Sequence, residues 1–115
     1  MKVIIAGGRN ITDYELVWHA IDAAGFEITE VVSGAARGVD ELGEQYALEY
    51  DLPVRRFPAD WNAHGKMAGP LRNGAMAQYA DALILIWDGA SRGSASMLRC
   101  AQREKLKVYE CRIPA

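Results

Sequence analysis

The 115-residue chain is short of the residues that most catalytic and metal-binding patterns need. It has two cysteines and two histidines, and neither type falls at a ligand spacing such as Cys-x-x-Cys, which excludes a structural zinc site. Cys100 and Cys111 read as reduced packing residues of a cytoplasmic protein. His19 falls inside a helical pattern and reads as a surface residue, while His64 reads as a loop residue. No Ser-His-Asp set, Cys-His pair or spaced pair of carboxylates is present, so acyl transfer has no support. No apolar run approaches 18 residues, and the N-terminus enters a strand pattern directly, so neither a membrane span nor a signal peptide is expected. There is no basic surplus either. The 13 basic and 15 acidic residues give a net charge of −2, which argues against a dedicated duplex-DNA binder. Repeats, linkers and low-complexity segments are lacking, and the length fits a single domain over 1–115.

What is there alternates. Apolar runs at Lys2–Ala6, Glu30–Ser33, Val54–Phe57, Ala82–Ile86 and Lys107–Glu110 predict five strands. Between them lie four segments of helical period. The first is opened by a capping-box pattern, Thr12 with Glu15, carries Val17, Ala20, Ile21 and Ala24 on one face, and stops at Gly25. The second spans Val39 to Tyr50, with Val39, Leu42, Tyr46, Ala47 and Tyr50 sharing a face. The third starts near Pro70, carries Leu71, Ala75, Met76 and Tyr79, and ends near Ala80. The fourth runs to about Lys105 with Met97, Leu98 and Ala101 inward. Ala82–Ile86 is the most apolar run and belongs at the centre of a sheet, whereas Arg55 and Arg56 place their strand at an edge. Strict alternation predicts a Rossmann-like three-layer α/β sandwich around a five-stranded parallel sheet. The long, aperiodic link from Pro58 to Gly69 fits a crossover that gives strand order 3-2-1-4-5.

In that order, ligands bind beyond the carboxyl ends of the strands, where three small-residue loops gather. Gly7, Gly8 and Arg9 follow the first strand. Ser33, Gly34, Arg37 and Gly38 lead from the second strand to Asp40 in a first helical turn. Trp87, Asp88, Gly89, Ser91, Arg92, Gly93 and Ser94 follow the fourth. Small residues admit close backbone approach, and a helix N-terminus favours negative charge, so each loop is a candidate phosphate cradle. The spacing matches neither the Gly-x-Gly-x-x-Gly fingerprint nor the Walker sequence. Arg9, Arg37, Arg72 and Arg92 fall on the same side, and nine arginines against four lysines favour forked recognition of phosphate. Two roles remain open for Trp87, a cap on the core or a platform for a base, and Trp61 has the same ambiguity. Asp40 either serves its own helix or accepts hydrogen bonds from a ribose, a role Asp88 shares.

These segments together resemble the YspA/cpYpsA-related family of the SLOG superfamily of nucleotide-binding domains. The residues that carry the likeness are Ala6-Gly7-Gly8-Arg9 with Asp13, Ser33 to Asp40, Ala59-Asp60-Trp61, Gly65-Lys66, Ala68 to Asn73 with Met76, and Trp87-Asp88-Gly89 with Ser91, Gly93, Ser94 and Met97. The resemblance implies binding of a nucleotide or of an NAD- or ADP-ribose-derived small molecule. The protein would act as a sensor, carrier or sequestering protein, with Arg72 and Asn73 joining the site, no required cofactor, and assembly into a homo-oligomer. Two further functions follow from more distant resemblances. The Asp88–Met97 loop is similar to the Pro-Gly-Gly-x-Gly-Thr-x-x-Glu loop of cytokinin-activating phosphoribohydrolases, but Met97 stands where their catalytic Glu is expected. Hydrolysis would then need Asp88 or Asp40 to activate water. The Ser33–Asp40 segment is similar to that of the DNA-processing proteins of natural transformation. Single-stranded DNA binding, with Trp61 and Trp87 stacking bases, is thereby implied, against the acidic balance of the chain.

Overall fold

In a computed structural model, residues 1–114 are described. Five strands form one parallel sheet: β1 (Lys2–Gly7), β2 (Glu30–Ser33), β3 (Val54–Arg56), β4 (Ala82–Trp87) and β5 (Lys107–Arg112). Their order is β3-β2-β1-β4-β5, as the alternation predicts. Helices α1 (Tyr14–Ala24), α2 (Val39–Glu49), α4 (Ala68–Tyr79) and α5 (Arg92–Arg103) complete the layers, and a single helical turn, α3 (Trp61–His64), lies in the crossover.

Side-chain alternation along the strands sorts the core into two. Val3, Ile5, Val31, Ile84 and Ile86 face α1 and α2, meeting Val17, Ile21, Val39 and Ala47. Ile4, Val32, Leu83 and Leu85 face α4 and α5, meeting Met76, Ala77, Met97 and Ala101. All six residues of β4 are buried, as its unbroken apolar run requires of a strand covered on both faces. Burying each Ile or Leu contributes about 1.5–3 kcal/mol. The short β3 is exposed throughout and sits at the edge that Arg55 and Arg56 demand.

Four expectations need correction. Asp13, not Thr12, caps α1: its Oδ1 accepts from the Glu15 and Leu16 N–H groups at 3.0 and 3.4 Å. A carboxylate one residue closer to the helix competes successfully for the same orphan donors. The Pro58–Gly69 link is not aperiodic throughout. Asp60 caps α3, and a 3₁₀ turn over Gly65–Met67 runs on into α4, which starts two residues before Pro70. The inward face of α4 carries Asn73, Met76 and Ala77, whereas Leu71 and Ala75 are exposed. Finally, Cys111 lies within β5 rather than after it, partly buried, and both cysteines are free thiols.

The strand order reverses between β1 and β4, where Gly7 pairs with Ile86. A Cβ on Gly7 would stand 1.8 Å from the Ile86 carbonyl oxygen, so only glycine fits at the switch point. No helix among the described residues is long and apolar enough to cross a membrane.

Candidate functional site

A cleft opens above the carboxyl ends of β1 and β4 and divides into two chambers. The inner one, about 400 Å³, lies between the end of β1 and the N-terminal turns of α4 and α5. The outer one, about 310 Å³, lies between the Gly34–Arg37 loop and the Pro58–Trp61 segment. Arg9, Ala36, Trp61 and Arg72 belong to both.

Of the three loop-to-helix junctions, two are filled by the protein itself. In the Ser33–Gly38 loop, the Ala35 N–H donates to Ser33 Oγ at 3.1 Å, the Ala36 N–H to Asp40 Oδ2 at 3.2 Å and the Gly38 N–H to Glu41 Oε1 at 3.1 Å. Val39, first in α2, donates to the Gly8 carbonyl at 3.2 Å. Gly38 holds φ at +76°, and a Cβ there would stand 2.2 Å from that same carbonyl oxygen. The loops after β1 and β2 are therefore welded together, and their shape, rather than these N–H groups, is what they offer a ligand. Ser33 itself is buried and donates to Glu44 Oε2 at 2.6 Å. The α1 junction is closed by Asp13.

The third junction differs. Asp88 Oδ1 accepts from the Ala90 and Ser91 N–H groups at 2.8 and 3.1 Å, which holds its carboxyl below the usual range and fixes the turn before α5. Ser91 Oγ then caps the helix, accepting from the Ser94 N–H at 3.4 Å. Ser94 lines the inner chamber, is 4% exposed, and its Oγ makes no hydrogen bond among the described residues. A buried hydroxyl without a partner is costly, and here it stands at the positive end of a 12-residue helix. Arg92, Gly93 and Ser91 line the same chamber.

Opposite α5, Asp40 and Arg72 close the bottom of the cleft. Arg72 donates to the Gly34 carbonyl through Nη1 and to Asn73 Oδ1 through Nε at 3.0 Å. Buried Asn73 in turn donates to the Gly93 carbonyl at 3.4 Å and to Ser96 Oγ at 3.3 Å, tying α4 to α5. A Cβ on Gly34 would meet Asp40 Oδ2 at 2.7 Å and Arg72 Nη1 at 2.8 Å, so the glycine makes room for this pair. Asp40 is 6% exposed, and burial pushes its carboxyl up to about 6. The Ala36 N–H, Arg72 and Arg9 oppose that rise, and Glu44 adds to it. Burial also lowers the Arg72 guanidinium from its ordinary value.

The structure thus brings Gly7, Arg9, Asp40, Arg72, Asn73, Ser91, Arg92, Gly93 and Ser94 to the inner chamber, and Gly34 and Arg37 to the outer. Gly8, Ser33 and Gly38 support these walls from behind. Trp87, Asp88 and Gly89 line neither chamber. Trp87 is buried against the core, donates through Nε1 to Glu110 Oε2 at 2.7 Å, and lies under the Arg112 guanidinium. Between the two roles open to it from sequence, it takes that of a core cap. Sequence reasoning left out Lys66, Met76, Ser96 and Met97, all of which line the inner chamber. By period the two methionines read as core residues and Lys66 as part of a link, although all three are among the residues that carry the family likeness.

Comparison with known proteins places the chain in a family and bears out its fold. The profile described as the YspA, cpYpsA-related SLOG family matches residues 1–64. The chain belongs to this family. It is also similar to the gene 61 protein of Mycobacterium phage D29, with 33% identity over 119 residues, covering 93% of each chain. Among solved structures, DNA processing protein A from Streptococcus pneumoniae shares the fold, with a TM-score of 0.77 at 20% identity. That match covers 95% of this chain, which spans about half (49%) of the length of the S. pneumoniae protein.

Proposed function

We propose that the cleft binds a nucleotide or an NAD- or ADP-ribose-derived small molecule through its phosphate, and that the protein serves as a sensor, carrier or sequestering protein for it. One observation carries this reading: the buried, unpartnered hydroxyl of Ser94 at the start of α5, in a chamber that also holds Arg9, Lys66, Arg72 and Arg92. A phosphate oxygen satisfies Ser94 and the free N–H groups of the first helical turn together. Membership of a SLOG family and a fold shared with a DNA-processing protein support a nucleotide-related role. The test is thermal unfolding with nucleoside mono- and diphosphates and ADP-ribose. A ligand at 100 times its Kd adds about 2.7 kcal/mol, which raises the midpoint by on the order of 10 °C in a domain of this size. Ser94→Ala should cut that rise, and a wild-type midpoint that no ligand moves would overturn the reading.

Asp40 favours hydrolysis as a second reading. Of the two carboxylates considered from the sequence, it alone lines the cleft, and a carboxyl that ionises near 6 is matched to proton transfer at neutral pH. Met97 lends the chamber only apolar surface. Incubation with nucleoside monophosphates should then release free base, and Asp40→Asn should abolish that release. An absence of base at high protein concentration returns the cleft to binding alone.

A further inference from the structure

We propose that Trp61 is the platform on which a planar ring of the ligand stacks, so that the cleft selects ring-bearing phosphates over bare sugar phosphates. This rests on the phosphate reading above and adds the ligand's second half. Among the described residues Trp61 is the one aromatic residue lining either chamber, and it lines both. Trp61 is 52% exposed, whereas Trp87 is 4% exposed. The indole N–H groups of Trp18 and Trp87 are donated to Tyr50 and Glu110, while that of Trp61 makes no hydrogen bond among the described residues.

A structural role does not account for this residue. Helix α3 has no buried residue, so the indole anchors nothing in either core cluster. The turn is held instead by Asp60: the Ala63 N–H donates to its Oδ1 at 3.0 Å and the His64 N–H to its carbonyl at 3.0 Å. The far edge of the indole, Cη2, stands 3.5 Å from where a Cβ on Gly69 would be, and so lies over the start of α4. The ring therefore has one edge against the start of α4, and the residue lines both chambers. Ser94 and Trp61 line the same chamber, so a phosphate at α5 and a ring on Trp61 can belong to one molecule.

Calorimetric titration decides. The probes are ribose 5-phosphate, the four nucleoside 5′-monophosphates and nicotinamide mononucleotide, each against wild type, Trp61→Phe and Trp61→Ala. At least one ring-bearing ligand should bind wild type roughly 10- to 100-fold more tightly than ribose 5-phosphate, the range of one stacking contact. Trp61→Ala should remove that advantage while leaving ribose 5-phosphate binding and the thermal midpoint unchanged, and Trp61→Phe should restore much of it. Equal binding of ribose 5-phosphate and every ring-bearing ligand by wild type would overturn the stacking role alone. So would a Trp61→Ala variant that still prefers the ring. Failure of all the probes to bind wild type would overturn the phosphate reading, and the platform with it.

Discussion

Asp40 shows what one residue's surroundings do to its chemistry. Its sequence position, in the first turn of α2, suits an ionised carboxylate serving the helix dipole. The fold instead buries it under Arg72 and Arg9 with Glu44 nearby, and the balance favours the protonated acid. The folded carboxyl ionises near 6 against 3.8 in the reference state, so the folded chain holds the extra proton between those values. Its stabilising effect is complete below about pH 4 and is lost as pH rises through 6. Above that, the buried charge costs on the order of 3 kcal/mol. Urea unfolding should show Asp40→Asn more stable than wild type by up to that amount at pH 7.5 and by only about 1 kcal/mol at pH 4.5. An advantage of Asp40→Asn over wild type that does not grow between these two values would contradict the assignment.

Elements were more legible in the sequence than the contacts between them. Five apolar runs separated by helical periods fix strand number, parallel pairing and order, because short crossovers and one hand of connection leave few alternatives. What sequence period does not encode is which of two neighbouring polar residues wins a cap, and so Thr12 was expected where Asp13 acts. Nor does it show that the N–H groups of the Ser33–Gly38 loop are consumed locally by Ser33, Asp40 and Glu41. Half of the site was readable as glycine and arginine at strand ends. Much of the rest, including Lys66, Met76, Ser96 and Met97, has by period the signal of a link or a core. The weld between the first two loops has its own consequence at this scale. Gly38→Ala must force a Cβ against the Gly8 carbonyl and the Arg9 backbone at a positive φ, and should lower stability by 3 kcal/mol or more, by order of magnitude. The exposed Gly25, also at positive φ but with open space around it, should cost about 1 kcal/mol when replaced by Ala. Comparable denaturation midpoints for the two variants would show that the loops are not locked together.

The whole molecule separates its charge. Five of the 13 basic residues line the two chambers, and Asp40 is the one acidic residue there, although the chain as a whole carries a net charge of −2. The rest of the chain therefore carries an excess of acidic over basic residues. A small anion that ends within the cleft meets only the basic mouth, and its capture is favoured electrostatically. A longer polyanion also lays phosphates across the acidic exterior, within the roughly 10 Å over which charges act at 0.1 M salt. The cleft is in effect a ruler: affinity should peak for a ligand of one or two nucleotides and fall as an oligonucleotide is lengthened at fixed ionic strength. A binding series over strand length reads this directly, and affinity that climbs with every added nucleotide would instead identify a surface that tracks a nucleic-acid backbone.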